Sequence, residues 1–117
     1  MSKIDLKVKL ISTENNLEIE TTGIATPNKI VYKENDISVT LILFDNKIDM
    51  KRVCNEYEIN LKFNLDSKSM STYKLFGCSK EFELETTTKK LKIEKNKIII
   101  DYELEGNNFS YTLLIGG

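Results

Sequence analysis

Arg52 is the only arginine in the sequence, and it sits where a charge is hard to keep. Alternate side chains of an extended strand share a face, so Arg52 falls on the face of Met50 and, across the neighbouring hairpins, of Val39, Leu41 and Ile59. That face is otherwise apolar and should point inward. A guanidinium there needs hydrogen-bond partners, because an unpaired buried charge is strongly destabilising. Two roles satisfy it. Arg52 can hold the carboxylate or phosphate of an amphipathic ligand whose tail enters the protein, with Tyr32, Tyr57 and Tyr102 as the residues lining it. Alternatively, Arg52 stands near the strand ends, capping carbonyls or paired with Glu34 or Glu56, which is the more ordinary arrangement.

The other groups with chemical potential read more simply. Glu81, Glu83 and Glu85 alternate with Phe82 and Leu84, so all three share one face. Acid–base work would need burial to separate their pKa values, and the pattern describes a solvated strand face. Lys89, Lys90, Lys92, Lys95 and Lys97 make the densest basic stretch, but Glu94 interrupts it and no aromatic residue lies close by. Lysines that protect a sheet edge account for it, and nucleic-acid binding is not expected. Tyr57, Tyr73, Tyr102 and Tyr111 read as core or rim residues with hydroxyls reaching water. Cys54 and Cys78 are too few for a disulfide framework or a four-ligand zinc site, and read as reduced, partly buried thiols. The sequence has no histidine, which removes the commonest general base and both the Ser-His and Cys-His nucleophile pairs. The glycines match no phosphate-binding spacing. No enzyme activity, metal or cofactor is expected.

Period-two alternation runs from end to end of the 117 residues, interrupted by turn-forming residues, and nothing competes at helical period. A hairpin can be tested by asking whether a given turn keeps the apolar residues of both arms on one face. A turn at Asp45-Asn46 sets Leu43 against Ile48 and Leu41 against Met50. Turns at Asn35-Asp36, Asn55-Glu56 and Lys95-Asn96 align Tyr32 with Val39, Cys54 with Tyr57 and Ile93 with Ile98. A turn at Gly106-Asn107 pairs Leu104 with Phe109, Tyr102 with Tyr111, Ile100 with Leu113 and Ile98 with Ile115. A loop near Thr13 to Asn16 pairs Leu10 with Leu17 and Val8 with Ile19. Apolar parity switches through Thr86-Thr87-Thr88-Lys89, which implies a bulge or a tight turn. Gly23 to Asn28, with Pro27 as the only proline, reads as a crossing loop or short helical turn.

Composition bounds the rest. With 40% hydrophobic and 30% charged residues the chain is a soluble globular domain, and its length suits one domain spanning 1–117. The net charge of -1 gives no global field toward nucleic acid or an anionic membrane. The apolar run Val39 to Phe44 is far short of a membrane span, and the N-terminus alternates as a strand does, so a cytoplasmic protein is expected.

In their order along the chain, several residues resemble a family of uncharacterised bacterial proteins, the YwiB-like domain of unknown function. They are Thr21-Thr22-Gly23, Tyr32 with Glu34, Met50 with Arg52, Phe63, and Tyr73 followed by Gly77. Glu81, Phe82, Glu83, Leu84 and Thr86, then Ile98, Ile100 and Tyr102, continue the likeness. The resemblance implies an all-β fold, an antiparallel up-and-down calycin-like β-barrel, and carries no activity, substrate or partner. Together with about eight to ten strands from the pattern, it leads to a non-catalytic binding module. The expected occupant is a small amphipathic anionic ligand in the barrel with Arg52 at its polar end, or a protein partner on the outer face. The alternative is a solid barrel that acts as a protein-interaction or RNA-associated accessory protein.

Overall fold

The computed structural model describes residues 2–12, 16–78 and 80–116, and places them in strands and turns without a helix. None of the described residues forms a helix long and apolar enough to cross a membrane. Ten strands follow one another as β1 (Ser2–Ser12), β2 (Asn16–Thr26), β3 (Lys29–Glu34), β4 (Ile37–Leu43), β5 (Lys47–Val53), β6 (Tyr57–Asn64), β7 (Lys68–Leu75), β8 (Glu81–Glu94), β9 (Lys97–Leu104) and β10 (Asn107–Gly116). Each pairs antiparallel with its neighbour in sequence, and β10 returns to β1 to close the barrel. Closure leaves no full-length edge for aggregation.

Alternation dictates the core. Most inward residues are apolar, and Val8, Val39, Leu41, Ile48, Met50, Phe63, Ile98, Ile100, Tyr111 and Leu113 are fully enclosed. Tight turns hold their register. Leu43 opposes Ile48, Leu41 opposes Met50, Tyr32 opposes Val39, and Ile93 opposes Ile98, as the parity test requires. Leu10 opposes Leu17 and Val8 opposes Ile19, although most of the loop joining these arms lies outside the described residues.

Three segments depart from the sequence reading. The last hairpin turns at Glu105-Gly106, so Asn107 opposes Leu104 and Tyr111 opposes Ile100, two residues away from the expected pairing. A two-residue shift preserves every side chain's face, so the parity test cannot detect it; Glu105 and Gly106, both at positive φ, decide the turn. Gly23 to Thr26 is strand, not a crossing loop. Pro27 and Asn28 form a tight turn between Thr26 and Lys29, a position where proline's fixed φ helps and no ladder donor is lost. Cys78 is exposed at the β7–β8 connection instead of partly buried, while Cys54 is half-buried; both are free thiols. The parity switch in β8 is a bulge between Thr88 and Lys90.

Two junctions carry only four pairs each, β2–β3 and β6–β7. Where β6 leaves β7, hydroxyls replace the missing ladder. The Lys62 amide donates to Ser71 Oγ at 3.0 Å and the Asn64 amide to Thr88 Oγ1 at 3.1 Å. Ser71 Oγ lies 2.6 Å from Thr86 Oγ1, and all three hydroxyl residues are buried. An unmet amide inside the wall would be costly, so three small polar residues occupy inward positions.

At the β2–β3 junction the constraint is close approach. A Cβ at Gly23 would lie 2.6 Å from the Val31 carbonyl oxygen and 2.8 Å from Leu6 Cδ1. Because backbone cannot yield as a flexible side chain can, Gly23→Ala should destabilise the barrel by about 1–3 kcal/mol, the cost of overpacking. Urea denaturation checks this; unchanged stability would mean that β3 can move off β2 freely.

Candidate functional site

The end of the barrel that carries the β3–β4, β5–β6 and β7–β8 connections holds a polar cluster on its inner face. Glu34, the last residue of β3, is 3% exposed, and Arg52, near the end of β5, is 13% exposed. They form a two-pronged pair: Arg52 Nη1 donates to Glu34 Oε2 at 3.2 Å and Nη2 donates to Oε1. Tyr32, two residues before Glu34 and so on the same face, donates its hydroxyl to Glu34 Oε2 at 3.0 Å. That hydroxyl also meets the Tyr111 hydroxyl at 2.5 Å, which links β3 to β10 through the interior. Arg52 is thus inward and paired with a carboxylate, as its register beside Val39 and Ile59 requires.

The electrostatics follow from burial and pairing. For Arg52, burial works against the charge, but the hydrogen bonds and charge of Glu34 outweigh it and hold the guanidinium protonated above its ordinary range. Burial pushes the Tyr32 and Tyr111 phenols well above the ordinary tyrosine value. Burial likewise pushes Tyr102 up to about 12, with Arg52 partly offsetting it. The cluster is therefore one ion pair surrounded by neutral phenols. Among the described residues no buried side-chain polar atom lacks a partner, and no group of three or more His, Cys, Asp or Glu gathers as a metal site would require.

Of the four residues expected to line a ligand, Tyr32 and Arg52 join this cluster. Tyr102 instead packs between Phe63 and Phe109, with ring centroids 4.6 and 5.2 Å away. Tyr57 lies half-buried at the mouth beside Tyr73, which in turn meets the exposed Phe82, at successive centroid separations of 5.7 and 6.2 Å. Burial raises the Tyr57 pKa, with Cys54 beside it adding to the shift. Glu81, Glu83 and Glu85 are exposed, as a solvated face requires. In the basic stretch, Lys89 bonds Asn108 at 3.0 Å and pairs with Glu103 at 3.5 Å, and Lys92 pairs with Glu94 at 3.1 Å.

The sequence reading missed a groove on the outer wall. Pairing of β2 with β3 stops at Gly23 opposite Tyr32, and beyond that point the strands part. A groove of about 700 Å³ opens there, lined among others by Lys3, Thr22, Ile24, Val31, Lys33 and Ser38, with Tyr32 beneath. Neither Lys3 nor Lys33 has an ion-pair partner among the described residues. Lys3 opposes Ile24, which opposes Val31, and Lys33 opposes Ser38, so a short apolar floor runs between two ammonium groups. By contrast, neither Arg52 nor Tyr57 lines any of the principal cavities among the described residues.

Residues 3–112 match the family described as Domain of unknown function (DUF1934). The chain belongs to this family. The crystal structure of the ywiB protein from Bacillus subtilis is similar, with a TM-score of 0.67 and 20% sequence identity over 98% of this chain and 89% of that one. At that identity the likeness shows a shared barrel fold. No curated protein matches the chain. The family therefore supplies an architecture and no reaction.

Two measurements check the cluster. Glu34→Gln leaves the Arg52 charge without its carboxylate and should cost about 3 kcal/mol, while Glu34→Gln combined with Arg52→Met should cost less than the single change. Urea denaturation of the two variants decides this; a double variant weaker than the single one would show that the charges themselves hold the fold. Alkaline titration tests the phenols. Their folded pKa values lie above the value near 10 of a free tyrosine, so the unfolded chain gives up these protons first. The stabilisation is complete below about pH 10 and falls as pH rises through the folded values. Tyrosinate absorbance should therefore show Tyr32, Tyr102 and Tyr111 ionising only as the protein unfolds, and reversible ionisation of all tyrosines near pH 10 in the folded state would contradict the assignment.

Proposed function

We propose that this domain is a non-catalytic binding module that takes a small amphipathic anion in the groove between β2 and β3. The observation that carries the reading is the pair Lys3 and Lys33, unpaired among the described residues, flanking an apolar floor of exposed Ile24 and half-buried Val31. A carboxylate or phosphate would meet the ammonium groups and the hydroxyls of Thr22 and Ser38, and a short alkyl or aryl portion would cover the floor. The wall is favoured over the lumen because Arg52 already has its carboxylate in Glu34 and the interior positions are filled by enclosed side chains. A non-catalytic role is favoured by the same inventory: the inner charges satisfy each other, and the buried phenols stay neutral.

Titration calorimetry with decanoate and with decanol, its uncharged counterpart, tests this reading. Decanoate should bind and decanol should bind more weakly, and Lys3→Glu or Lys33→Glu should each weaken decanoate about tenfold, as expected for reversing a surface charge in contact with an anion. If both reversals leave the affinity unchanged, or if binding instead perturbs Tyr102 and Tyr111 inside the barrel, the groove is not the site.

A further inference from the structure

The parting of β2 from β3 exposes backbone as well as a groove. From Asn16 to Thr22, β2 is paired along one side with Ile11 to Asp5 of β1. On its other side the ladder to β3 begins only at Gly23, so among the described residues these seven have no backbone partner there. Such a stretch is a template for another extended segment. The approach is open, since the groove reaches Thr21 and Thr22 at one end of it.

The side chains specify what can add. Glu18 and Glu20 point outward and are exposed, while Leu17, Ile19 and Thr21 point inward and are half-buried. On the outer face Lys9 opposes Glu18 and Lys7 opposes Glu20, with a Lys7–Glu18 ion pair at 3.3 Å. The next row of this alternating stripe should be basic. A second copy of the same edge meets the opposite situation. With Glu18, Ile19 or Glu20 at the centre of an antiparallel pairing, registers that keep apolar residues together set Glu18 against Glu18, Glu18 against Glu20, or Glu20 against Glu20. Like charges directly opposite destabilise a pair.

We infer that the free edge of β2 from Asn16 to Thr22 binds, by strand addition, an extended segment of a partner protein in which lysine or arginine alternates with apolar residues. Main-chain hydrogen bonds supply the attachment, and the Glu18–Glu20 row and the Leu17–Ile19 row set register and choice of partner. This surface is separate in chemistry from the anion groove, because one depends on carboxylates and the other on ammonium groups.

The sequence of residues 5–11, Asp-Leu-Lys-Val-Lys-Leu-Ile, has the required alternation and serves as an end-blocked, fluorescent probe peptide. An end-blocked peptide of residues 16–22 is the acidic control. The probe should bind, with fluorescence anisotropy falling as salt rises, and it should slow amide hydrogen exchange at residues 16–22. The variant Glu18→Lys with Glu20→Lys should bind the probe about tenfold more weakly and gain affinity for the control, since two attractive cross-strand pairs become repulsive. Lys3→Glu and Lys33→Glu should leave probe binding intact, which keeps failure of the anion reading distinct. Should the charge-swapped protein not fold by circular dichroism, the salt dependence and exchange pattern of the unaltered protein decide. No binding, protection confined to other residues, equal affinity in the folded charge-swapped variant, or peptide-free protection of residues 16–22 that grows with protein concentration would each overturn the inference, the last by making a second copy the occupant.

Discussion

The Glu34–Arg52 pair sets the terms for the rest of the barrel. A carboxylate and a guanidinium can share an apolar interior only if each satisfies the other, and here they do so through two hydrogen bonds. The same carboxylate takes the Tyr32 hydroxyl, and Tyr32 meets Tyr111 on the far wall. Strands β3, β5 and β10 are thereby tied at one level of the barrel. A one-residue slip of β3 would turn Glu34 outward and leave Arg52 unpaired inside, so the cluster penalises wrong registers even if it contributes little to net stability.

With that charge neutralised and the interior filled, the recognition proposed above falls to the wall. The place where it becomes feasible is the shortest kind of junction in the barrel. Gly23 lets β3 approach closely over four pairs, and beyond them the strands separate. The separation exposes both a groove between lysines and an edge bearing glutamates. At the other four-pair junction, β6–β7, the fold took a different course: Ser71, Thr86 and Thr88 turn hydroxyls to the freed amides and seal the wall. No comparable hydroxyls close the β2 edge among the described residues.

Much of this was legible in the residues. Alternation and turn chemistry specify which side chains enter the core, and they place Arg52 inward with Glu34 among its candidate partners. Parity has limits that the chain displays clearly. It registers odd slips and is blind to even ones, which is why the Glu105-Gly106 turn escaped it. Gly23 to Asn28 read as a crossing loop or short helical turn because the missing donor of Pro27 was weighed without the possibility that the strand simply turns there. The seal of Ser71, Thr86 and Thr88 depends on where a ladder stops, and no local pattern encodes that. Lys3 and Lys33 are thirty residues apart in the chain, on β1 and β3 with β2 between them, so only the assembled sheet brings them to one groove.

The way the barrel closes also concentrates the difficulty of folding it. Nine of its ladders join strands adjacent in sequence, and each can form as a hairpin over a short stretch of chain. The tenth brings residues 5–12 against residues 109–116, almost the whole chain apart. Loop-closure entropy grows with the span closed, so this one ladder carries the largest such cost, and its inward residues gain full burial only when it forms. Local hairpins can precede it, but the enclosed interior cannot, and the tie between Tyr32 and Tyr111 is completed in the same event that joins the two ends of the sheet.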